Sequence, residues 1–259
     1  MAAFPAERPT TLVPVSREAG ASVVVGRDLH KRYGNGPAAV RALRGVTIEL
    51  EQGTFTAIMG PSGSGKSTLM HLLAGLDRPT EGEVLLGDNN LGDLDDGELT
   101  RLRRGTVGFV FQSFNLLPIL TVEQNIVLPV RIAGREIDRD WLERLLVAVG
   151  LHNRRDHRPA ELSGGEQQRA ALARALMSKP LVMFADEPTG NLDSRATEIV
   201  LAMLRRAVDD LGQTTLIISH NPLAAARADR IVFLQDGRIV KETGRLSEAE
   251  ILDTVKAIR

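Results

Sequence analysis

The chain alternates short apolar runs with longer amphipathic stretches. Leu181–Ala185 is apolar throughout and Leu216–Ser219 nearly so, a pattern typical of strands buried on both faces of a parallel sheet. Thr54–Met59 also has strand character, and helical spacing of apolar residues follows it and recurs over Ser194–Leu211. Strands that alternate with helices predict an α/β fold whose ligands bind at the carboxyl ends of the parallel strands.

Each of these two predicted helices has one apolar face that is expected to pack inward. The first helix runs from about residue 68 to 76, directly after a glycine-rich loop. The inward positions are Leu69, Leu72, Leu73 and Leu76 in the first helix, and Ile199, Val200, Met203, Leu204, Val208 and Leu211 in the second.

Further strands are expected around this α/β pattern. Those in the amino-terminal part predict an antiparallel sheet beside the ligand site, and those near the carboxyl end predict a hairpin through Asp236-Gly237. A polar connection rich in aspartate is expected over Asp88–Glu98. The strands are Val23–Val25, Leu29–Tyr33 and Val46–Leu50 for the sheet, and Ile231–Leu234 and Arg238–Glu242 for the hairpin; a further strand, Glu83–Leu86, is predicted after the first helix.

The middle of the chain is predicted to be mostly helical, forming an inserted subdomain over about residues 93–178. One apolar stripe ends at Gly150 and consists of Trp141, Leu142, Leu145, Leu146 and Val149. Ser163 and Glu166 satisfy a capping box, so a long helix should begin there and run to about Ser178. Residues 1–22 contain three prolines among charged residues and are expected to be a disordered extension, which leaves 23–259 as the folded domain.

Composition narrows the class of protein. A length of 259 residues with 43% hydrophobic content suits one large domain, and a net charge of -1 with a pI near 6.5 is not suited to binding nucleic acid. The absence of cysteine excludes disulfides and thiolate metal sites and fits a cytoplasmic protein. No run approaches the roughly 18 apolar residues that would cross a bilayer, so work at a membrane would require another chain.

A glycine-rich segment between the strand Thr54–Met59 and the first helix is the strongest chemical signal. Its glycines let backbone N–H groups turn toward phosphate oxygens, the helix directs its positive end at the same anion, and Lys66 adds a charge. The Ser67 hydroxyl would coordinate Mg²⁺. The alternative is a glycine-rich turn that binds nothing. The expected contacts are Gly60, Pro61, Ser62, Gly63, Ser64, Gly65, Lys66, Ser67 and Thr68.

Three polar residues end predicted strands at the edge where such folds bind ligands. Asp186 is the better candidate for a Mg²⁺ ligand, and Glu187 could polarise an attacking water. His220 could hydrogen-bond a terminal phosphate or that water. The alternatives are a pair of solvated turn carboxylates and a structural histidine.

Other candidates are less specific. Gln112 could contact Mg²⁺ or water, or be an ordinary surface residue, and Tyr33 could stack on a nucleobase or be a half-buried strand residue. Ser163, with Gly164, Gly165 and Glu166, forms a second helix start that could bind phosphate or serve only as a cap. Periodicity does not place this second start near Lys66.

Taken together, these motifs appear in the order found in ATP-binding cassette (ABC) ATPases, which the chain resembles from Val23 to about Glu242. The resemblance implies a P-loop NTPase core of the RecA-like type, with an antiparallel β subdomain and an inserted helical subdomain. The motifs that carry it are Gly60–Ser67, Gln112, Leu162–Glu166, Leu181–Glu187, Asn191–Asp193 and His220.

The resemblance also implies a homodimer that holds ATP between the phosphate loop of one copy and the Ser163–Glu166 segment of the other. Its cofactors would be ATP and Mg²⁺. The implied roles are adenine stacking for Tyr33, a lever toward the helical subdomain for Gln112, the catalytic base for Glu187, a contact across the dimer for Asp193 and a γ-phosphate switch for His220.

Two longer segments are similar to the subgroup that serves lipoprotein release, macrolide efflux and cell division: Phe111–Pro118 and Ala185–Asp193. Its partners are separate membrane permeases, which would place this chain on the cytoplasmic face of the cell membrane. The chain departs from the usual pattern at Glu166, where glutamine is commoner, and at Ser219-His220-Asn221, where Thr-His-Asp is usual.

Alternative functions follow from the same motifs. Within the family, the chain could drive transport or transmit mechanical work across the membrane. A soluble ABC ATPase acting on nucleic acid is a second class, but neither sustained heptads nor an internal repeat supports it. A GTPase or small-molecule kinase is a third class, but this chain contains no guanine-reading Asn-Lys-x-Asp segment.

Overall fold

The computed structural model describes residues 21–34 and 36–258. The predicted extension at 1–22 lies outside them except for Ala21 and Ser22. The strands are β1 (Ser22–Tyr33), β2 (Val40–Glu51), β3 (Phe55–Met59), β4 (Glu81–Leu86), β5 (Asn89–Asn90), β6 (Val107–Phe111), β7 (Val182–Asp186), β8 (Thr214–Ile218), β9 (Arg230–Gln235) and β10 (Arg238–Thr243).

The helices connect these strands and cover the sheets. Short 3₁₀ turns occur at Gly36–Ala38, Leu91–Asp93, His152–Arg154 and Pro159–Glu161. The α-helices are α1 (Lys66–Leu73), α2 (Asp96–Thr106), α3 (Val122–Ile132), α4 (Arg139–Ala148), α5 (Gly164–Met177), α6 (Ser194–Leu211), α7 (Pro222–Ala225) and α8 (Glu248–Ile258). Within the described part of the chain, none of them is long and apolar enough to cross a membrane.

A six-stranded sheet in the order β10-β9-β3-β8-β7-β6 is the centre of the fold. Its strands run parallel except β10, which pairs antiparallel with β9 as the second arm of the predicted hairpin. Every residue of β3 and β8 is buried, as their apolar sequences predict. The α/β prediction is confirmed, and the carboxyl ends of β3, β8 and β7 meet at one edge.

Two apolar layers cover this sheet because successive strand residues point to opposite faces. Phe55 and Met59 of β3 pack in the layer formed with α3, α4, α5 and α6. Ile58 packs in the layer formed with α1 and the antiparallel sheet. Helices α3, α4 and α5 therefore lie on the face of the sheet opposite α1, whereas α2 packs in the same layer as α1 through Leu99 and Leu102.

The antiparallel sheet has the order β2-β1-β4-β5. Its first strand is continuous over Ser22–Tyr33, so the division into two strands was wrong. Register shifts between Gly26 and Leu29, with Asp28 at a φ of 47°, mark an irregularity inside the strand. Pairing with β2 and β4 on both sides keeps the strand continuous across it.

Several helix details differ from the sequence predictions. Helix α1 ends at Leu73, so Leu76 lies beyond it and is 44% exposed, and Ile199 and Leu211 on α6 are also exposed. The polar connection over Asp88–Glu98 contains the start of α2, capped by Asp95 and Glu98. Strand β6 falls within the bounds predicted for the inserted subdomain, but it joins the six-stranded sheet. The capping box that opens α5 at Ser163 is confirmed.

Candidate functional site

The loop from Gly60 to Ser67, hereafter the phosphate loop, leaves the carboxyl end of β3 and enters α1. Gly60 and Gly65 have φ angles of 155° and 103°. A Cβ atom on Gly60 would lie 2.0 Å from the carbonyl oxygen of Leu234, and one on Gly65 would lie 2.4 Å from that of Ala42. These positions therefore accept only glycine, since both the backbone angle and the close approach exclude a side chain.

Helix α1 begins without a side-chain cap, because its N-cap residue is Gly65. The first N–H groups of a helix have no partner within the helix, so this end has donors for an anion. Lys66 Nζ donates to the carbonyl oxygens of Gly60 and Pro61 at 2.9 and 2.8 Å, which folds the side chain back over the loop. Burial lowers the pKa of Lys66, and Glu187 and Asp186 oppose that shift.

Ser64, which lies inside the phosphate loop, also indicates a site for an anion. Its side chain is 3% exposed, and its Oγ is buried without a hydrogen-bond partner among the described residues. An unpartnered buried hydroxyl is unusual in a folded protein. The bare helix start, the folded-back lysine and this hydroxyl together fit a phosphate chain.

Ser67 and Asp186 lie together, joined by a side-chain hydrogen bond between α1 and the end of β7. Burial is the main reason that the pKa of Asp186 is raised, and His71 and Lys66 act against it. Oxygen ligands of this kind suit Mg²⁺. Across the described residues, no group of three acidic, histidine or cysteine side chains could hold a metal alone. A cation here would therefore need additional oxygens from phosphate and water.

Glu187 and His220, predicted separately from two strand ends, are in contact. His220 Nδ1 lies 2.9 Å from Glu187 Oε1, and the Ser219 hydroxyl donates to Glu187 Oε2 at 3.4 Å. Glu187 has a φ of 46°, which is strained for a residue with a side chain, and its N–H donates to the Ile218 carbonyl at 2.9 Å. Both carboxylate oxygens are thus oriented by residues that follow β8.

Gln112 lies just beyond β6 and pairs with Asn191. Its Nε2 donates to Asn191 Oδ1 at 3.0 Å, and Asn191 Nδ2 donates to the Gln112 carbonyl at 3.2 Å. A Cβ on Gly190 would lie 2.7 Å from Gln112 Nε2, so the glycine makes room for this pair. The amide therefore contacts the turn after Glu187, and no hydrogen bond joins it to Ser67 or Asp186 in the described structure.

Tyr33 at the end of β1 is close to the first turn of α1. Its hydroxyl donates to Asp77 Oδ2 at 3.0 Å, and its side chain also hydrogen-bonds with Thr68. Burial raises the pKa of Tyr33, although the residue as a whole is 41% exposed. Lys31 Nζ lies 5.0 Å from the ring centroid. The aromatic ring is therefore available near the phosphate loop.

The segment Ser163–Glu166, hereafter the signature segment, forms its own depression of about 140 Å³ together with Asp193. The Ser163 hydroxyl donates to Glu166 Oε2 at 2.8 Å, and its N–H donates to the same oxygen at 2.8 Å. These hydrogen bonds lower the pKa of Glu166. Gly164 and Gly165 open α5. Among the described residues no hydrogen bond or ion pair joins this segment to the phosphate loop.

Sequence reasoning missed the supporting roles of Ser219 and Gln168. Ser219 is 1% exposed and orients Glu187, and Gln168 is fully buried between the segments described above. Ser219 ends the run Leu216–Ser219, whose burial was predicted although its contact with Glu187 was not. Gln168 lies in the polar run Glu166–Arg169, where neither periodicity nor composition signals burial. Only the packing of α5 and β8 identifies them.

The fold and this edge of the sheet define a nucleotide-binding protein of the phosphate-loop class. The family model described as ABC transporter matches residues 43–190. The chain therefore belongs to the ABC transporter family and is an ATPase domain of that family, as the resemblance implied.

Two relatives illustrate the family relationship. The macrolide export ATP-binding/permease protein MacB of Brucella melitensis is 46% identical over 227 residues, which are 87% of this chain and 35% of that protein. The ABC transporter ATP-binding protein MJ0796 of Methanocaldococcus jannaschii is 41% identical over 222 residues, covering 83% of this chain and 94% of the relative. The chain thus spans about a third of the length of its MacB relative.

Solved structures agree with the fold. A dimeric post-hydrolysis state of the ATP-binding cassette MJ0796, bound to ADP and Pi, aligns with a TM-score of 0.78 at 39% identity, over 86% of this chain and 99% of that one. A second dimeric structure of MJ0796 aligns with a TM-score of 0.77 at 38% identity, over 86% of this chain and 99% of that one. The predicted family and fold are confirmed.

Proposed function

We propose that this chain hydrolyses ATP as a head-to-tail homodimer and thereby drives a separate membrane permease. One observation carries the proposal: the phosphate loop, Asp186, Glu187 and His220 lie at the carboxyl ends of the neighbouring strands β3, β7 and β8. Reactive groups that meet at one edge of a parallel sheet can act on one substrate.

The phosphates would bind in the phosphate loop. Backbone N–H groups at the start of α1 supply the donors, and Lys66 exchanges its present carbonyl partners for phosphate oxygens. Ser67 and Asp186 would hold Mg²⁺, which neutralises charge on the phosphate oxygens when bound. Gln112 is proposed as a third group near the metal or the attacking water, and Tyr33 would stack on the adenine.

Glu187 is proposed as the general base. Its carboxylate is 21% exposed and can accept a proton from water at Oε1 or Oε2 once ATP is present. His220 is 75% exposed, so it can leave Glu187 and turn toward the γ-phosphate. Ser219 would keep the carboxylate oriented during this exchange.

A second copy would complete the site. The signature segment of one copy would meet the phosphate loop of the other, with Asp193 also contacting the partner copy. The separate depression that contains Ser163 and Asp193 supports this arrangement, because it leaves their polar groups accessible from outside. The dimeric MJ0796 structures are similar chains in a dimeric state.

A groove of about 410 Å³ between α2, β6, α3 and α5 is the proposed contact with the permease. Its charged lining residues are Arg103, Arg104 and Arg174, and Phe109 and Ile132 contribute apolar surface. No acidic residue lines it, so a permease segment with both apolar and acidic side chains would fit. This contact would hold the chain peripherally on the cytoplasmic face of the membrane.

The relatives support a proposal for the class of work that the complex does. MacB is named as a macrolide export protein, which supports a permease of the macrolide-efflux or lipoprotein-release type. A complex that transmits mechanical work without transport is the second candidate, since the ATPase cycle would be the same. The net charge of -1 disfavours action on nucleic acid. Copurification of the permease and transport assays in vesicles separate the first two.

Replacing the base tests the proposed hydrolysis. Glu187→Gln should lower kcat by about 10²- to 10⁴-fold because a neutral amide does not accept the proton from water. Binding of ATP should persist, and dimers should accumulate in size-exclusion chromatography with ATP and Mg²⁺. Glu136→Gln, at an exposed position between α3 and α4, is the control and should keep parental activity. Hydrolysis by Glu187→Gln at the parental rate would show that another group is the base.

A further inference from the structure

Gln168 is a fully buried polar residue that none of the proposed roles uses. It lies on α5, five residues after Ser163, or about 7 Å along the helix axis. Its Nε2 donates to the carbonyl oxygen of Phe111 at 3.1 Å and to that of Pro188 at 2.5 Å. One side-chain amide thus contacts the backbone of two separate loops.

The two carbonyls belong to the segments that would contact the nucleotide. Phe111 directly precedes Gln112 at the end of β6, and Pro188 directly follows Glu187 at the end of β7. The helix that holds Gln168 begins at the signature segment. The reverse orientation of the amide would place Oε1 against two carbonyl oxygens, so the assignment of the donor is well determined.

Packing alone does not explain a glutamine at this position. The Gln168 Oε1 atom is buried without a hydrogen-bond partner among the described residues. Leaving a buried acceptor unpaired destabilises the fold, and an apolar side chain of similar size would avoid that loss. The two hydrogen bonds from Nε2 therefore distinguish this residue from a filler of the core.

A second contact joins the same two loops. Gln112 and Asn191 exchange two hydrogen bonds, so the turn after Glu187 is tied to the loop after β6 on its outer side. Gln168 joins the same two segments on their buried side and also connects them to α5. Displacement of either loop by nucleotide would have to move α5 or break a buried hydrogen bond.

We propose that Gln168 is a positioning residue that couples the signature segment to the loops of Gln112 and Glu187. Nucleotide bound at these loops in one copy thereby orients Ser163 of the same copy toward the partner copy. The residue acts through these segments and does not touch the nucleotide. This inference rests on the roles proposed above for Gln112, Ser163 and Glu187. Loss of the coupling weakens closure of the dimer and leaves binding of nucleotide to a single copy intact.

Gln168→Met tests the coupling because methionine has nearly the same length and no donor. The matched control is Gln213→Met, which replaces another buried glutamine at the amino end of β8, where Nε2 donates only to the Thr214 carbonyl. Both variants are made in the full chain, alone and together with Glu187→Gln. The measurements are thermal unfolding, equilibrium binding of ADP to the single copy, steady-state ATPase kinetics and sedimentation with ATP and Mg²⁺.

For Gln168→Met we expect ADP affinity within about twofold of the parent and kcat about thirtyfold lower, which corresponds to two hydrogen bonds of about 1 kcal/mol each at about 1.4 kcal/mol per tenfold change. In the Glu187→Gln background, the dimer should dissociate at least about tenfold more readily. Gln213→Met should change neither quantity by more than about twofold. Parental kcat and dimer affinity in a folded Gln168→Met variant would overturn the inference.

Gln168→Asn extends the test should the methionine variant unfold. Its amide is one methylene shorter and reaches at most one of the two carbonyls, so the site stays polar while the bridge is lost. We expect the same loss of kcat and of dimer affinity, smaller in size, with ADP binding unchanged. A failure of the proposed base can be distinguished from a failure of the coupling. It would appear as hydrolysis at the parental rate by Glu187→Gln in a chain that keeps Gln168. Unchanged dimer affinity in Gln168→Asn would also refute the coupling.

Discussion

The two helix starts at the site, those of α1 and α5, differ in how their N–H groups are satisfied. Helix α1 follows Gly65 and has no side-chain cap. Helix α5 follows Ser163, whose hydroxyl caps it while Glu166 caps the Ser163 N–H in return. The first start has no capping side chain, whereas at the second the Ser163 hydroxyl already accepts a hydrogen bond from the Glu166 N–H.

This difference separates a site that is ready in a single copy from one that must rearrange. Phosphate can bind at α1 without displacing a side chain other than Lys66. At α5, the Ser163 hydroxyl must exchange Glu166 for a phosphate oxygen. The exchange is reasonable only when a second copy presents the nucleotide, so the comparison predicts that mutations at α1 affect binding and those at α5 affect the dimer.

The largest effect is expected at α1. Gly65→Ala should lower the free energy of unfolding by about 2–3 kcal/mol and abolish binding of ADP, because Cβ would lie 2.4 Å from the Ala42 carbonyl at a φ of 103°. Gly134→Ala is the control, since its φ is 66° and nothing lies within 4 Å of its Cβ. Its loss should be about 1 kcal/mol, with ADP binding unchanged. Urea denaturation and ADP titration measure both, and equal losses would contradict the clash.

An intermediate effect is expected at the start of α5. Ser163→Ala should lower kcat about tenfold or more by removing the hydroxyl that is proposed to meet the γ-phosphate, while ADP binding to a single copy is unchanged. The lost cap should lower stability by about 1 kcal/mol.

The same cap occurs at the start of α8, where Ser247 and Glu250 make the same three hydrogen bonds. Ser247→Ala should therefore lose similar stability in urea denaturation and keep parental kcat. A loss of kcat shared by both variants would mean that the cap acts only through folding.

The smallest effect is expected at Glu166. Glu166→Gln removes a negative charge beside the proposed phosphate contact, so ATP-driven dimerisation should tighten about two- to fivefold. Sedimentation with ATP measures this, with Glu250→Gln as the matched cap away from the site. Equal or weaker dimerisation in Glu166→Gln would show that the charge does not oppose the nucleotide.

The same substitution gives a dependence on pH. Hydrogen bonds from Ser163 lower the pKa of folded Glu166, so ionised Glu166 stabilises the fold above its unfolded pKa of about 4.3, and this stability is lost as pH falls through the folded value. The parent should therefore be more stable than Glu166→Gln at pH 7, and the difference should vanish in acid. Thermal unfolding at pH 7 and in acid measures it, and a constant difference would contradict the assignment.

Local interactions explain why much of the molecule could be predicted. The phosphate loop, the cap at Ser163 and the buried strand β7 each depend on residues within about ten positions of one another, so their patterns are visible in the sequence. The prediction that Leu76 and Leu211 face inward was wrong because helical periodicity continues past the point where packing ends. The division of β1 into two strands was wrong because an irregularity within a strand resembles a break when its partner strands are unknown.

Local chemistry can be read from the amino-acid sequence alone: where glycine permits positive φ, where a helix starts and which polar residues end buried strands. Which of these residues meet depends on the three-dimensional fold. Glu187 and His220 are 33 residues apart, and Gln112 and Asn191 are 79 apart. Their contacts depend on the strand order β3-β8-β7-β6, which arises from how helices cover both faces of the sheet, and no short-range pattern records that order.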